Sequence, residues 1–261
     1  MVRSAVILGA VLLGWQSAAS GQQPAADPAM ASPPPSIADL ARAGDARSQF
    51  LMGMRARAGP PGTPGTASQR NGIRPDPAKA FEWFRMAAQQ GNTDAEFQVA
   101  RAYAEGGGVA RDLAKAASWY ARAAEDGHAL AQFNLALMRE RGDGGPRDEA
   151  AAQKLYDQAA KRGLVGAMRQ LAALNAGGQG GERNLVQALA WVEVAAARAG
   201  AGAPTTEGDE VFRRFLFEQM TPEQIASAEA LAKERLASLP ADPTAPLATS
   251  TPAAGGDVQP R

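Results

Sequence analysis

The sequence predicts an all-α fold: a solenoid of stacked helix–turn–helix units closed by a C-terminal capping helix. Three observations predict it. Trp83, Trp119, Leu155 and Trp191 recur every 36 residues, and Gly91, Gly127 and Gly163 keep the same interval. Self-similarity at this period marks an array whose units bury their apolar faces only against their neighbours. The composition agrees, because 261 residues that are 45% hydrophobic but only 6% aromatic, without alternating Val/Ile/Thr runs, call for no strand.

Each unit reads as two helices. Asp76, Asp112, Asp148 and Asn184 share the period and stand directly before alanine-rich runs, where an Asx side chain accepts a bond from an otherwise orphaned backbone N–H. Pro77 supports the first of these caps, since its fixed φ and missing N–H cost nothing at the first helical position. In the unit that begins near Thr93, the residues Ala95, Val99 and Tyr103 form a packing stripe on a first helix that stops at glycines 106 to 108. The second helix starts after Asp112, carries Ala116, Trp119 and Ala123 inward with Tyr120 beside them, and ends at Gly127. Small alanines let helix backbones approach while the indole fills the remaining volume. From Gly44 to Gly91 the interval is 47 residues, and the extra chain falls in the Gly/Pro/Thr-rich stretch 58–75, which reads as an inserted loop.

The ends follow from the same logic. Ile37 to Ala43 reads as the second helix of a truncated leading unit. Thr221-Pro222-Glu223-Gln224 forms a capping box before Ile225, Ala228, Leu231, Ala232 and Leu236, and Val211, Phe212, Phe215, Leu216 and Phe217 suit a helix before it. An array needs such a cap because its last unit otherwise presents a stacking surface to water.

Gly106-Gly-Gly-Val-Ala-Arg-Asp112, Lys115-Ala116, Trp119-Tyr120-Ala-Arg-Ala-Ala124, Gly127 and Ala131-Gln132 resemble the Sel1-like repeat of the tetratricopeptide-like superfamily. The resemblance implies a right-handed α-solenoid of about four units over residues 37–203, and the residues after it read as a helical cap over 204–239. It departs at Leu155, which replaces the aromatic, at Arg139 and Asn175, which stand where Tyr103 does, and in having no cysteine. A cysteine-rich, disulfide-clamped branch of the family exists, and this chain differs from it.

Arg3, the apolar stretch Ala5–Trp15 and the small residues Ser17 to Gly21 read as a cleavable signal peptide over 1–21. Eleven apolar residues fall short of the roughly 20 that cross a bilayer. The expectation is a periplasmic or secreted bacterial monomer without stable membrane insertion after cleavage. The Pro-rich spacer 22–36 and the tail 240–261 lack periodicity and read as disordered. With 27 basic and 27 acidic residues, no net field gathers nucleic acid.

Chemistry-bearing motifs are scarce. His128 is the single histidine and reads as a turn-surface residue, with no Ser, Cys or second His in phase. No catalytic residue, cofactor or metal site is predicted. The glycines at 106–108 and 177–181 lack a preceding strand and a Gly-Lys-Ser, so they are turns, and Glu207 with Asp209 read as solvated loop charges.

What remains is a surface. Phe97 lies two residues from both Ala95 and Val99, about 200° from the stripe. Register extends this row to Phe50, Phe133 and Arg169. By resemblance that side lines a concave groove, with Arg47, Met54, Arg101, Leu137, Glu140 and Arg141 beside the row. The candidate partner-binding residues are Phe50, Phe97, Arg101, Phe133, Leu137, Arg141 and Arg169. The opposing reading makes the phenylalanines inter-repeat core. The expected function is non-enzymatic: an adaptor, scaffold or regulator that binds a protein or peptide, for which the resemblance adds roles in surface-polysaccharide systems. The alternatives are a hydrolase of cell-wall or β-lactam substrates and a glycan- or peptidoglycan-binding groove.

Overall fold

The computed structural model describes residues 35–58, 75–179, 181–199 and 207–240. The segment 1–21 read as a signal peptide, residues 22–34 of the spacer, residues 59–74 of the insertion and residues 241–261 of the tail lie outside the described residues. The described residues from Ile37 onward fall in one packed unit. Its helices are α1 (Ile37–Arg42), α2 (Ala46–Ala58), α3 (Pro77–Gln89), α4 (Thr93–Glu105), α5 (Leu113–Glu125), α6 (Ala129–Arg141), α7 (Glu149–Lys161), α8 (Val165–Gly177), α9 (Leu185–Ala199), α10 (Glu207–Glu218) and α11 (Pro222–Ser238). Among the described residues no strand occurs.

Four hairpins, α2–α3, α4–α5, α6–α7 and α8–α9, stack through α3–α4, α5–α6 and α7–α8. The second helices begin at the expected caps. The side chains of Asp76, Asp112, Asp148 and Asn184 accept the N–H three residues on at 2.9–3.0 Å. The first helices end on Gly106, Gly142 and Gly178 at φ 79°, 77° and 72°, a left-handed cap that glycine adopts without a Cβ clash. Two residues beyond, a Cβ on Gly108 or Gly144 would lie 2.1 or 2.2 Å from the carbonyl oxygen of Pro77 or Leu113. Each of these turns therefore rests directly on the second helix of the unit before it.

The buried wedge differs from the expected one. Phe84, Tyr120 and Tyr156, one residue after the tryptophan register, are buried at 3%, 4% and 0% exposure, whereas Trp83, Trp119 and Leu155 are half-buried. One residue turns a helix position by about 100°, which moves the indole from the hairpin interior to the seam. There Trp119 packs on the cluster of the unit before it and Leu155 does the same one unit later. Trp191 is buried because α11 folds back on α9, with the Arg235 guanidinium 4.0 Å above its ring and bonded to Gln187.

The cap begins at the Thr221–Gln224 capping box. Ala228 and Ala232 are buried, but Leu236 is 40% exposed, so the apolar stripe of α11 is shorter than its sequence suggests. On α10, Leu216 is buried while Val211 and Phe215 face outward.

Candidate functional site

The first helices lie side by side. Arg57 on α2 donates to Gln98 Oε1 on α4 at 2.7 Å, the Phe133 ring on α6 stands against Gly166 on α8, and Arg169 on α8 pairs with Asp209 on α10 at 2.7 Å. With the Phe97 ring of α4 stacked on His128 at the N-cap of α6, these contacts run without a gap from α2 to α10.

The phenylalanines form the floor of that face. Phe50, Phe97 and Phe133 each meet the buried aromatic of their own hairpin, with centroids 5.8, 5.8 and 5.6 Å from Phe84, Tyr120 and Tyr156. Phe97 is only 8% exposed and is packed into the core, while Phe50 and Phe133 are half-buried. A first helix is enclosed on two sides, by the second helix of the preceding unit and by its own hairpin mate, as α4 is by α3 and α5, so positions 200° apart both find partners. Arg101, Leu137 and Arg169 are half-buried and Arg141 is exposed, which leaves their side chains along the surface of the row.

Charge on this face is organised in short pairs. Arg101 lies 3.7 Å from Glu105, and Glu140 accepts the Tyr156 hydroxyl at 2.7 Å. Burial, and then the neighbouring Arg101 charge, hold the Arg57 guanidinium below its ordinary range, so two cations crowd the α2–α4 seam. Burial pushes the Tyr120 phenol up to about 12; burial and the Glu140 contact push Tyr156 higher still. Arg57 is absent from the residues that the sequence places on or beside the row, although it shares a register with Glu140 through Ala104 once the insertion is allowed for.

His128 is a cap rather than a surface residue. Its Nδ1 accepts the Ala131 N–H at 3.2 Å, its ring stacks on Phe97 at 4.6 Å, and its Nε2 faces Asp94 at 3.5 Å. Contact with His128 holds the Asp94 carboxyl below its usual range. Asn92 caps α4 in the same register, accepting the Ala95 N–H at 2.8 Å. The 36-residue interval between them was a readable signal. Asp209, read as a solvated loop charge, instead lies in α10 and pairs with Arg169. Among the described residues, no three His, Cys, Asp or Glu side chains converge on a metal-sized site, and no helix is long and apolar enough to cross a membrane.

The Sel1 repeat model matches residues 67–92, 93–128, 129–164 and 165–199. The chain belongs to the Sel1 repeat family. A Sel1 repeat protein from Oxalobacter formigenes is 26% identical over 76% of each chain, with a TM-score of 0.57. The crystal structure of c5321, a protective antigen present in uropathogenic Escherichia coli strains and displaying an SLR fold, is 27% identical, with a TM-score of 0.45. That alignment covers 77% of this chain and 48% of the antigen, so the chain spans about half its length. No curated protein matches. Sel1 repeats generally mediate protein–protein interaction and are typically non-catalytic scaffolds. In this Sel1 array the units match in phase with α4–α5, α6–α7 and α8–α9, and the first match enters only at α3.

Proposed function

We propose that this Sel1 repeat protein is an exported adaptor or scaffold of the bacterial envelope, and that the row of first helices holds an extended segment of a partner protein. The observation that carries the reading is the row itself: a floor of half-buried Phe50 and Phe133 with buried Phe97 between them, flanked by Arg101, Leu137, Arg141 and Arg169. Arginine and aromatic side chains are the residue types that anchor protein interfaces. Phe97 acts from below by fixing the height of that floor. Arg57, Arg101 and the exposed Arg141 against the Glu105 carboxylate leave this end of the row richer in cations, which suits an acidic segment. Export rests on the N-terminal sequence, where Arg3, the apolar stretch and the small residues follow a signal-peptide pattern.

Affinity capture from periplasmic extract tests the interaction, with wild type compared against Arg101→Glu/Arg141→Glu. A specific partner retained by wild type and lost by the variant is expected; equal recovery on both sinks the row. Fractionation with mass spectrometry of the mature N-terminus tests export, and full-length protein in the cytoplasm refutes it.

A further inference from the structure

Beyond the row, at its α8 end, lies a cavity of about 220 Å³ between α8, α9 and α10. Ala172, Val192, Ala195 and Phe212 give it apolar walls, and Arg169 and Asp209 stand at its edge. The Arg169 guanidinium is used on one prong: Nη2 donates to Asp209 at 2.7 Å, while Nε is buried without a hydrogen-bond partner. A guanidinium edge presents Nε–H and Nη2–H as a parallel fork that matches the two oxygens of one carboxylate. The volume is below the roughly 300–1,000 Å³ of drug-sized sites, so it accommodates a short aliphatic group and no ring system larger than a side chain.

We infer that this cavity anchors the C-terminal residue of the partner, with a short aliphatic side chain against Val192 and Ala195 and the terminal carboxylate on the Arg169 fork, taking the Nη2 prong from Asp209. Shape and hydrogen bonding agree on that occupant: the apolar walls reject a free anion, and the orphaned N–H rejects a purely apolar plug. This assignment rests on the first-helix row as a binding face, because the row delivers the peptide end to Arg169.

The test uses the full mature chain and N-acetyl-leucine, with N-acetyl-leucinamide as control, followed through the arginine Nε–H signals in a proton–nitrogen NMR spectrum. The Arg169 signal is assigned by its loss in Arg169→Lys. The acid should move it saturably and the amide should not. Ala173→Phe, at an exposed α8 position on the cavity wall, should weaken the acid at least tenfold while the helical spectrum stays unchanged. Equal shifts with acid and amide, no shift with either, or indifference to Ala173→Phe overturns the cavity. An acidic octapeptide ending in leucine separates the two readings. As the free acid it should bind more tightly than N-acetyl-leucine and lose that gain in Arg101→Glu. If it binds no more tightly while N-acetyl-leucine still binds, the row fails and the cavity stands as a site for small acids.

Discussion

Gln132 and Glu96 occupy the same register of consecutive first helices, yet only Gln132 reaches back to the helix before it, donating Nε2 to Ala124 O at 3.1 Å. Gln49 does the same toward Ala41 O at 3.2 Å. A carboxylate has no N–H to offer. Glu96 therefore pairs through Oε1 with Arg122 at 2.9 Å, while its buried Oε2 has no partner. Burial raises the Glu96 pKa above the usual range.

A group whose folded pKa is raised binds its proton more tightly in the native state, so its contribution is fully present below the unfolded value. It is lost as pH rises through the folded one. Glu96→Gln should remove that loss and restore the donor toward Ala88 O, stabilising the protein by about 1 kcal/mol at neutral pH. Urea midpoints across pH should show the variant's advantage growing as pH rises from the acid side. A constant or shrinking difference refutes the account.

Tyr156 is fully buried and Leu155 is half-buried. Tyr156→Ala should cost about 3–5 kcal/mol through the cavity it leaves, and Leu155→Ala clearly less. Denaturant unfolding of both variants checks the order. Equal losses would return the wedge to the tryptophan register.

The turns supply a matched pair of glycines. Gly144 at φ 75° has no room for a Cβ against Leu113 O, whereas Gly91 at φ 80° meets nothing within 4 Å. Gly91→Ala should cost about 1–2 kcal/mol from the left-handed backbone alone. Gly144→Ala carries that cost and must also push the turn off α5, so its melting temperature should fall distinctly further.

His128→Asn supplies Oδ1 in place of Nδ1 as acceptor for the Ala131 N–H but loses the stack on Phe97, whereas His128→Ala loses both. The two variants should differ by about 1 kcal/mol, the typical worth of an N-cap. Identical melting temperatures would show that the cap contributes nothing.

The helices were legible because caps, glycines and alanines act locally: Asp112 bonds an N–H three residues away whatever the rest of the chain does. The candidate row was legible as a register and ambiguous as a surface. Periodicity places Phe97 opposite Ala95, but burial on both sides arises from a neighbouring helix 36 residues on, seen in the His128 ring stacked on Phe97. The Arg169–Asp209 pair joins residues 40 apart across the break in the repeat, where the period no longer predicts partners.

By itself the sequence determined the unit length, the capping residues, the glycine stops and the helical end piece, all consequences of hydrogen bonds and backbone sterics within one or two turns. Tertiary packing alone decided which aromatic is the wedge, that Trp191 lies beneath Arg235, and that a cavity remains between α8, α9 and α10. Those outcomes depend on how side-chain volumes from distant units fill a shared space. A one-residue step along a helix turns a side chain through about 100°, and only the neighbouring helix fixes whether that direction points into the core.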